Sequence, residues 1–195
     1  TITPPANDFG SDDVTVTVTD GDLSDSTTFT LMVNPVNDAP TLDDLANANV
    51  DEDGIYTLEL SGADVDGDAL TFLASVEANG LASIEGSTLT VVPTADFNGD
   101  IIVNVIVSDG QASVSGSFTL TVNAVNDAPV ISVIDAQSID EDSSLTLELS
   151  ASDIDSGELT FSASNGDSEI VVDGTTLTIT PPANDFGSDD VTVTV

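Results

Sequence analysis

The feature of this sequence that most constrains its fold is an internal repeat of about 89 residues. The segment Val-Asn-Asp-Ala-Pro occurs at residues 36–40 and returns 89 residues later, at 125–129. Residues 1–18 return without change at 178–195, which is an offset of 177 residues. Two successive repeats, one of 88 residues and one of 89, account for this offset. A sequence with such a period is expected to fold as a tandem array of similar units.

These matches divide the chain into three stretches. We expect the C-terminal part of one repeat at residues 1–35, a complete repeat at 36–124, and the N-terminal part of a third repeat at 125–195. Because the first and third stretches share an identical segment, the array is expected to alternate two repeat types. The chain is therefore expected to begin and end inside a repeat.

Apolar and polar residues alternate within the complete repeat. Val103, Val105 and Val107, for example, are separated by single residues, which places all three on one face of a strand. About seven such short strands, with turn signals such as Asn79-Gly80 between them, predict an all-β immunoglobulin-like sandwich. No stretch has the apolar period of a helix.

The composition excludes several classes of function. Lys, Arg and His are absent, and 36 Asp and Glu residues give a formal net charge of −36. Such a chain cannot neutralise nucleic-acid phosphates and is not attracted to anionic membranes. The lack of His and Cys removes the usual zinc ligands, imidazole bases and thiol nucleophiles. We therefore expect no enzyme, no nucleic-acid partner and no direct insertion into a membrane.

Acidic motifs return at fixed places in the predicted loops. Asp-Glu-Asp occurs at residues 51–53 and 140–142, and Asp-x-Asp at 64–66 and 153–155. Loops of a sandwich gather at its two ends, so these motifs are expected to meet where repeats join. Two carboxylates about 5 Å apart repel by roughly 3 kcal/mol at an effective dielectric near 20. Because carboxylate and amide oxygens are the ligands that calcium prefers, we expect calcium at the repeat junctions.

The linker motifs also resemble a known family. Residues 36–40 and 125–129 are similar to the inter-domain linker of cadherins, which carries Asn-Asp just before a proline. The Asp-x-Asp motif at 64–66 resembles the one at the top of a cadherin domain, and residues 107–110 resemble its late Asp motif. The whole chain is most similar to the bacterial cadherin-like repeats of giant RTX-type surface adhesins. The resemblance implies tandem cadherin-like or immunoglobulin-like Greek-key β-sandwiches joined end to end.

The resemblance also implies which residues bind calcium. In the first junction these are Asn37, Asp38, Asp64, Asp66 and Asp109, with Asp8 from the preceding repeat. In the second junction they are Glu52, Asp53, Asp96, Asn126, Asp127, Asp153 and Asp155. Glu141 stands with Glu52 at the place of a first-strand glutamate of cadherins. Asp-Phe-Asn-Gly at 96–99 and Asp-Phe-Gly at 8–10 and 185–187 replace the Asp-Arg-Glu motif, and their Phe9, Phe97 and Phe186 are expected to fill the core.

The predicted function is that of a structural extender. Calcium at the junctions would stiffen a stalk or filament segment of a cell-surface adhesin, outside the cell. Its partners would be the neighbouring repeats of the same polypeptide. Two alternatives stay open: an adhesive module that binds polysaccharide or a protein through its loops, and a fibre subunit that assembles with other copies by strand exchange.

Overall fold

The structure, a computed structural model that describes residues 1–195, contains 18 β-strands and no helix. The first stretch forms β1 (Gly10–Thr19) and β2 (Ser24–Val33). The complete repeat forms β3 (Thr41–Leu42), β4 (Ala48–Asp51), β5 (Tyr56–Glu59), β6 (Gly62–Ala63), β7 (Thr71–Val76), β8 (Gly80–Glu85), β9 (Thr88–Pro93), β10 (Gly99–Ser108) and β11 (Ser113–Asn123). The third stretch forms β12 (Val130–Ile131), β13 (Leu145–Glu148), β14 (Ala151–Ser152), β15 (Ser162–Ser164), β16 (Glu169–Asp173), β17 (Thr176–Thr180) and β18 (Thr192–Thr194). The predicted all-β class is confirmed.

The complete repeat is a sandwich of two sheets. One sheet has the strand order β4-β11-β10-β7 and the other the order β5-β9-β8, while β3 and β6 form a short separate pair. Within the larger sheet, β10 is antiparallel to both of its neighbours, and β4 runs parallel to β11. The predicted turn at Asn79 is present, with φ of 62°, but it connects the two sheets instead of closing a hairpin within one.

The core of this sandwich follows from the alternation of apolar residues. On β10, Val103, Val105 and Val107 are fully buried, whereas Ile102 and Ile106, which alternate with them, are 48% and 40% exposed. Because successive side chains of a strand point to opposite faces, only one of the two apolar sets reaches the core. The period of two residues in the sequence therefore predicted the buried face correctly.

Aromatic residues complete the same core. Tyr56 on β5 lies against Phe118 on β11, with ring centroids 5.9 Å apart and ring planes inclined by 53°. Fully buried Leu89 and Val91 on β9 contribute from the smaller sheet. The only tyrosine of the chain is thus part of the packing between the two sheets.

The first stretch forms a hairpin with the register of the central strands of the complete repeat. Gly10 pairs with Val33 and Thr19 with Ser24, and the same pairs, 89 residues later, join β10 to β11. Phe29 is 46% exposed, whereas the equivalent Phe118 is buried. The hairpin therefore reproduces the strand pairing of a repeat without its core.

The third stretch has a smaller core of its own. Its strands form a sheet of order β13-β17-β16 and two short pairs, β12-β14 and β15-β18. Leu149, Phe161, Leu177 and Ile179 are buried at its centre. The chain as a whole divides into two compact units, Thr1–Ala124 and Val125–Val195. The predicted boundary between residues 35 and 36 lies inside the first of these units and stays a prediction.

The expectation that three phenylalanines fill the core is correct for one of them. Phe97 packs on the core of the complete repeat, whereas Phe9 and Phe186 are 57% and 88% exposed. The backbone N–H of Phe97 donates to the Thr94 carbonyl. In the third stretch the equivalent bond runs from the backbone N–H of Asp185 to the Pro182 carbonyl. Phe186 is thus displaced by one residue relative to Phe97, and its side chain starts from a different position of the loop.

Candidate metal centre

The loop between β6 and β7 is shaped by its first aspartate. Asp64 Oδ1 accepts hydrogen bonds from the backbone N–H of Asp66, at 2.9 Å, and of Asp68, at 3.2 Å. Gly67 completes the turn with φ of 82°, a conformation that residues with a side chain rarely adopt. An aspartate that binds the backbone two residues further along is a common turn former. This local folding holds the carboxylates of Asp64 and Asp66 at one end of the sandwich.

The linker segment before β3 is tied to this loop and to the turn between β10 and β11. The backbone N–H of Asp38 donates to Asp66 Oδ2 at 2.7 Å, across 28 residues of sequence. Asn37 Nδ2 donates to Asp109 Oδ2 at 3.0 Å and to the Asp38 carbonyl at 2.8 Å. The structure therefore brings together five of the residues predicted for the first junction, namely Asn37, Asp38, Asp64, Asp66 and Asp109.

Asp109 forms a second turn of the same kind. Its Oδ1 accepts hydrogen bonds from the backbone N–H groups of Gln111 and Ala112, both at 2.6 Å. The bond from Ala112, followed by those from the Asn37 amide and from Gln111, lowers the pKa of Asp109 below its ordinary value of 3.8. The carboxylate of Asp109 is therefore ionised at neutral pH and fixed in orientation.

Gln111 belongs to this arrangement, although no sequence motif singles it out. Its Nε2 donates to Asn37 Oδ1 at 2.7 Å. A glutamine that follows Asp-Gly reads as an ordinary turn residue. Its contact with Asn37, 74 residues away in sequence, exists only because the fold brings the linker beside the turn.

One oxygen of the cluster has no hydrogen-bond partner. Asp64 Oδ2 is buried and accepts no hydrogen bond. A buried polar atom is rarely left without a partner, and one that carries charge is especially unfavourable. The chain has no Lys, Arg or His that could supply a countercharge. The orphaned oxygen, together with neighbouring carboxylates and an amide, fits a hard divalent cation with oxygen ligands.

The carboxylates of this cluster are not gathered tightly. No three acidic side chains among Asp38, Asp64, Asp66 and Asp109 place oxygens within 4.8 Å of one another. Hydrogen bonds to the backbone and to Asn37 hold them instead. A cation at this place would draw the carboxylates closer.

The same arrangement returns in the unit Val125–Val195. Asn126 Nδ2 donates to the Asp127 carbonyl at 2.6 Å, and the backbone N–H of Asp127 donates to Asp155 Oδ2 at 2.6 Å. Asp153 Oδ1 accepts from the backbone N–H of Asp155 at 2.9 Å, as Asp64 does from Asp66. The linker and the Asp-x-Asp loop thus form one recurrent structure in both repeats.

Another predicted group lies in the complete repeat, where the loop after β4 approaches the loop before β10. The backbone N–H of Asp96 donates to Asp53 Oδ1 at 3.3 Å, and carboxylate oxygens of the two residues lie within 4.8 Å of each other. Both residues have positive φ, 60° for Asp53 and 57° for Asp96. Glu52, next to them, is only 6% exposed. Three of the acidic side chains predicted for the second junction therefore lie on adjoining loops.

Two predicted ligands stand apart in the structure. Asp8 and Glu141 are exposed, and neither side chain makes a hydrogen bond. By backbone conformation the counterpart of Asp96 in the first stretch is Asn7, with φ of 60°, and not Asp8. In the third stretch the counterpart is Asn184, whose backbone N–H donates to Asp142 Oδ1 at 2.9 Å. Metal binding by these residues, and the two predicted junction sets as wholes, stay predictions.

Comparison with known proteins identifies the family. The family model described as bacterial Ig domain matches residues 37–123 and again residues 126–195. The chain belongs to the bacterial Ig domain family. Domains of this family usually lie on the cell surface or outside the cell and are typically not enzymes. The structure contains no helix with the length and apolar character needed to span a membrane.

Relatives of this bacterial Ig chain include parts of larger enzymes. Chitinase A of Pseudoalteromonas piscicida is 32% identical over 112 residues, which are 56% of this chain and 14% of the chitinase. An endo-fucoidan hydrolase of glycoside hydrolase family 107 is 20% identical, with a TM-score of 0.40 over 98% of this chain and 34% of that chain. Human protocadherin-24 EC1-2 is 14% identical, with a TM-score of 0.49 over 82% of this chain and 95% of that chain. The chain thus spans only a minor part of the chitinase and of the fucoidan hydrolase.

Proposed function

We propose that the chain is a calcium-stiffened extender, a stalk segment that holds other domains of an extracellular protein away from their point of attachment. The observation that carries this proposal is the buried, unpartnered Asp64 Oδ2, in the loop that Asp66 ties to the linker at Asp38. Family membership supports an extracellular, non-catalytic role.

The residues that would hold calcium are those that hydrogen bonds already gather, namely Asn37, Asp38, Asp64, Asp66 and Asp109. Bound calcium would supply the positive charge that the sequence lacks. Since Asn37 and Asp38 belong to the linker and the others to the sandwich, shared coordination would fix the linker to the end of the repeat. A linker held in this way bends less, so an array of such repeats would behave as a stiff rod.

Direct binding of a polysaccharide has less support. Sugar sites commonly offer exposed aromatic rings for stacking, and this chain has no Trp and one Tyr. Tyr56 is half-buried against Phe118 and is occupied in core packing. The loops around the candidate metal centre present acidic residues, and these favour cations over neutral sugars.

A second setting for the same role is favoured by one observation. The match to 112 residues of chitinase A lies within a much longer enzyme. We therefore also propose that repeats of this kind serve as spacers in secreted polysaccharide-degrading enzymes. In both settings the repeats separate functional domains, and the catalytic residues would lie elsewhere in the longer chain.

Calcium binding and stiffening can be tested together on the 195-residue chain. Isothermal titration should show binding of Ca²⁺, and Mg²⁺ should bind more weakly because it demands a tighter octahedral arrangement and loses its water reluctantly. Small-angle X-ray scattering should show that the maximum dimension of the chain varies over a narrower range in calcium than in EDTA. An absence of calcium binding would refute the metal centre. If calcium binds but the scattering is unchanged, the proposed stiffening is refuted and the metal centre is still supported.

A further inference from the structure

The side chain of Gln111 closes a ring of hydrogen bonds at the candidate metal centre. Gln111 Nε2 donates to Asn37 Oδ1 at 2.7 Å, and Asn37 Nδ2 donates in turn to Asp109 Oδ2 at 3.0 Å. The backbone N–H of Gln111 donates to Asp109 Oδ1 at 2.6 Å, which completes the ring. We call these three residues, Asn37, Asp109 and Gln111, the amide latch.

The amide latch competes with a cation for the same oxygens. Asn37 Oδ1 and Asp109 Oδ2 are the atoms with which these two side chains would bind calcium, and in the latch each of them accepts a hydrogen bond from an amide. Asn37 Nδ2 also directs partial positive charge towards Asp109 Oδ2. Each oxygen keeps a further lone pair, so a cation that coordinates it must lie beside an amide N–H whose partial positive charge repels the cation. Gln111 is the outer member of the latch, and together with Asp109 and the Asp38 carbonyl it orients the amide of Asn37.

The other repeat type has a different residue at this place. Residues 20–23, Asp-Gly-Asp-Leu, occupy the turn that is Asp-Gly-Gln-Ala at 109–112, so Asp22 replaces Gln111. The turn itself is the same, because Asp20 Oδ1 accepts from the backbone N–H of Asp22 at 3.0 Å and of Leu23 at 2.9 Å. A carboxylate cannot donate a hydrogen bond to an asparagine carbonyl. Repeats with Asp at this position therefore lack the donor that closes the latch, and they have one more negative charge.

We propose that Gln111 is a positioning residue that lowers the calcium affinity of its repeat through the amide latch. The array then contains two classes of calcium site. Repeats with Asp at this position fill at lower calcium concentration, and repeats with Gln fill at higher concentration. This inference rests on the proposed calcium function and adds to it a graded response, in which stiffening develops in two steps as calcium rises.

The test compares substitutions of Gln111 in the full 195-residue chain. Gln111→Met keeps the length of the side chain and removes the amide, and Gln111→Glu also adds a charge. Gln137→Glu is the charge control, because Gln137 is exposed and donates only to the Asp135 carbonyl. Tyr56, the only tyrosine, reports unfolding of the complete repeat through its fluorescence. The measured quantity is the calcium concentration that raises the melting temperature of the Tyr56 transition by a fixed increment above its value in EDTA, with the same increment used for every variant.

Gln111→Met should lower this calcium concentration about fivefold, the factor that corresponds to one net hydrogen bond. The same variant should melt at a lower temperature than the wild type in EDTA, because it loses the bond to Asn37. A residue with a purely structural role would not raise the calcium affinity when its substitution lowers the stability in EDTA. Gln111→Glu should lower the concentration about tenfold or more, and Gln137→Glu should change it by less than about twofold.

The outcomes separate the inference from the proposed function. If the wild-type Tyr56 transition does not respond to calcium, the proposed function fails and the inference fails with it. If the wild type responds but Gln111→Met needs as much calcium or more, the latch is refuted and the extender proposal is unaffected. An effect of Gln111→Glu without one of Gln111→Met would also refute the latch, since charge alone would then account for it.

Discussion

Replacing Asp64 by Asn should reverse the order of stability between wild type and variant when calcium is added. The asparagine retains Oδ1, which can still accept the backbone hydrogen bonds from Asp66 and Asp68. It removes the charge at the buried Oδ2. In EDTA the variant should therefore be the more stable protein, by about 1 kcal/mol, because a neutral buried group without a partner is less unfavourable than a charged one.

Calcium should change the sign of this difference. At a calcium concentration about 100 times its dissociation constant, one site stabilises the folded repeat by about 2.7 kcal/mol. For a domain of about 60–100 residues, each kcal/mol moves the melting temperature by about 4–8 °C, so the wild type should gain about 11–22 °C. A variant that has lost a central ligand should gain little. In saturating calcium it should therefore melt below the wild type.

The assay is thermal unfolding followed by the fluorescence of Tyr56, which reports the complete repeat alone. Asp44→Asn is the matched control, since it removes one charge at an exposed residue whose side chain makes no hydrogen bond. That control should respond to calcium as the wild type does. If Asp64→Asn were already the less stable protein in EDTA, the buried oxygen would not be a source of strain. If calcium raised the melting temperature of Asp64→Asn as much as that of the control, Asp64 would not be a calcium ligand.

Other substitutions test the fold and the turn at the centre. Asp109→Asn should make the free energy of unfolding depend less on pH in acid. Because the pKa of Asp109 is lowered in the folded state, its carboxylate stabilises the wild type above pH 3.8, and this stabilisation is lost as the pH falls through the folded-state pKa. Urea unfolding at a series of pH values would detect the difference. Leu120→Ala should destabilise the complete repeat by about 2–5 kcal/mol, whereas Leu31→Ala, 89 residues earlier on the exposed hairpin, should have a smaller effect on chemical denaturation. Gly62→Ala should lower the melting temperature, because a Cβ there would lie 2.3 Å from the Thr41 carbonyl oxygen.

The strands were predictable because the physics of a sheet appears directly in the sequence. Alternation of apolar residues fixed which side of β10 faces the core, and the 89-residue period carried that assignment from one repeat to the next. The prediction failed where one residue was gained or lost between repeat types. Phe97 and Phe186 lie in similar motifs, yet only Phe97 packs on a core, because the spacing to the following glycine differs by one residue.

The candidate centre was predictable only in part, and the reason is the range of the interactions involved. Asp64 and Asp66 lie in one short loop, so their proximity follows from local spacing, and Asn37 and Asp38 could be added from the linker motif. Gln111 could not be added, because its role depends on the direction of a side chain and on a partner 74 residues away. Local sequence can thus nominate the oxygens that attract a cation. It does not reveal the amides that hydrogen-bond to those oxygens, and by our proposal these amides set how much calcium the centre needs.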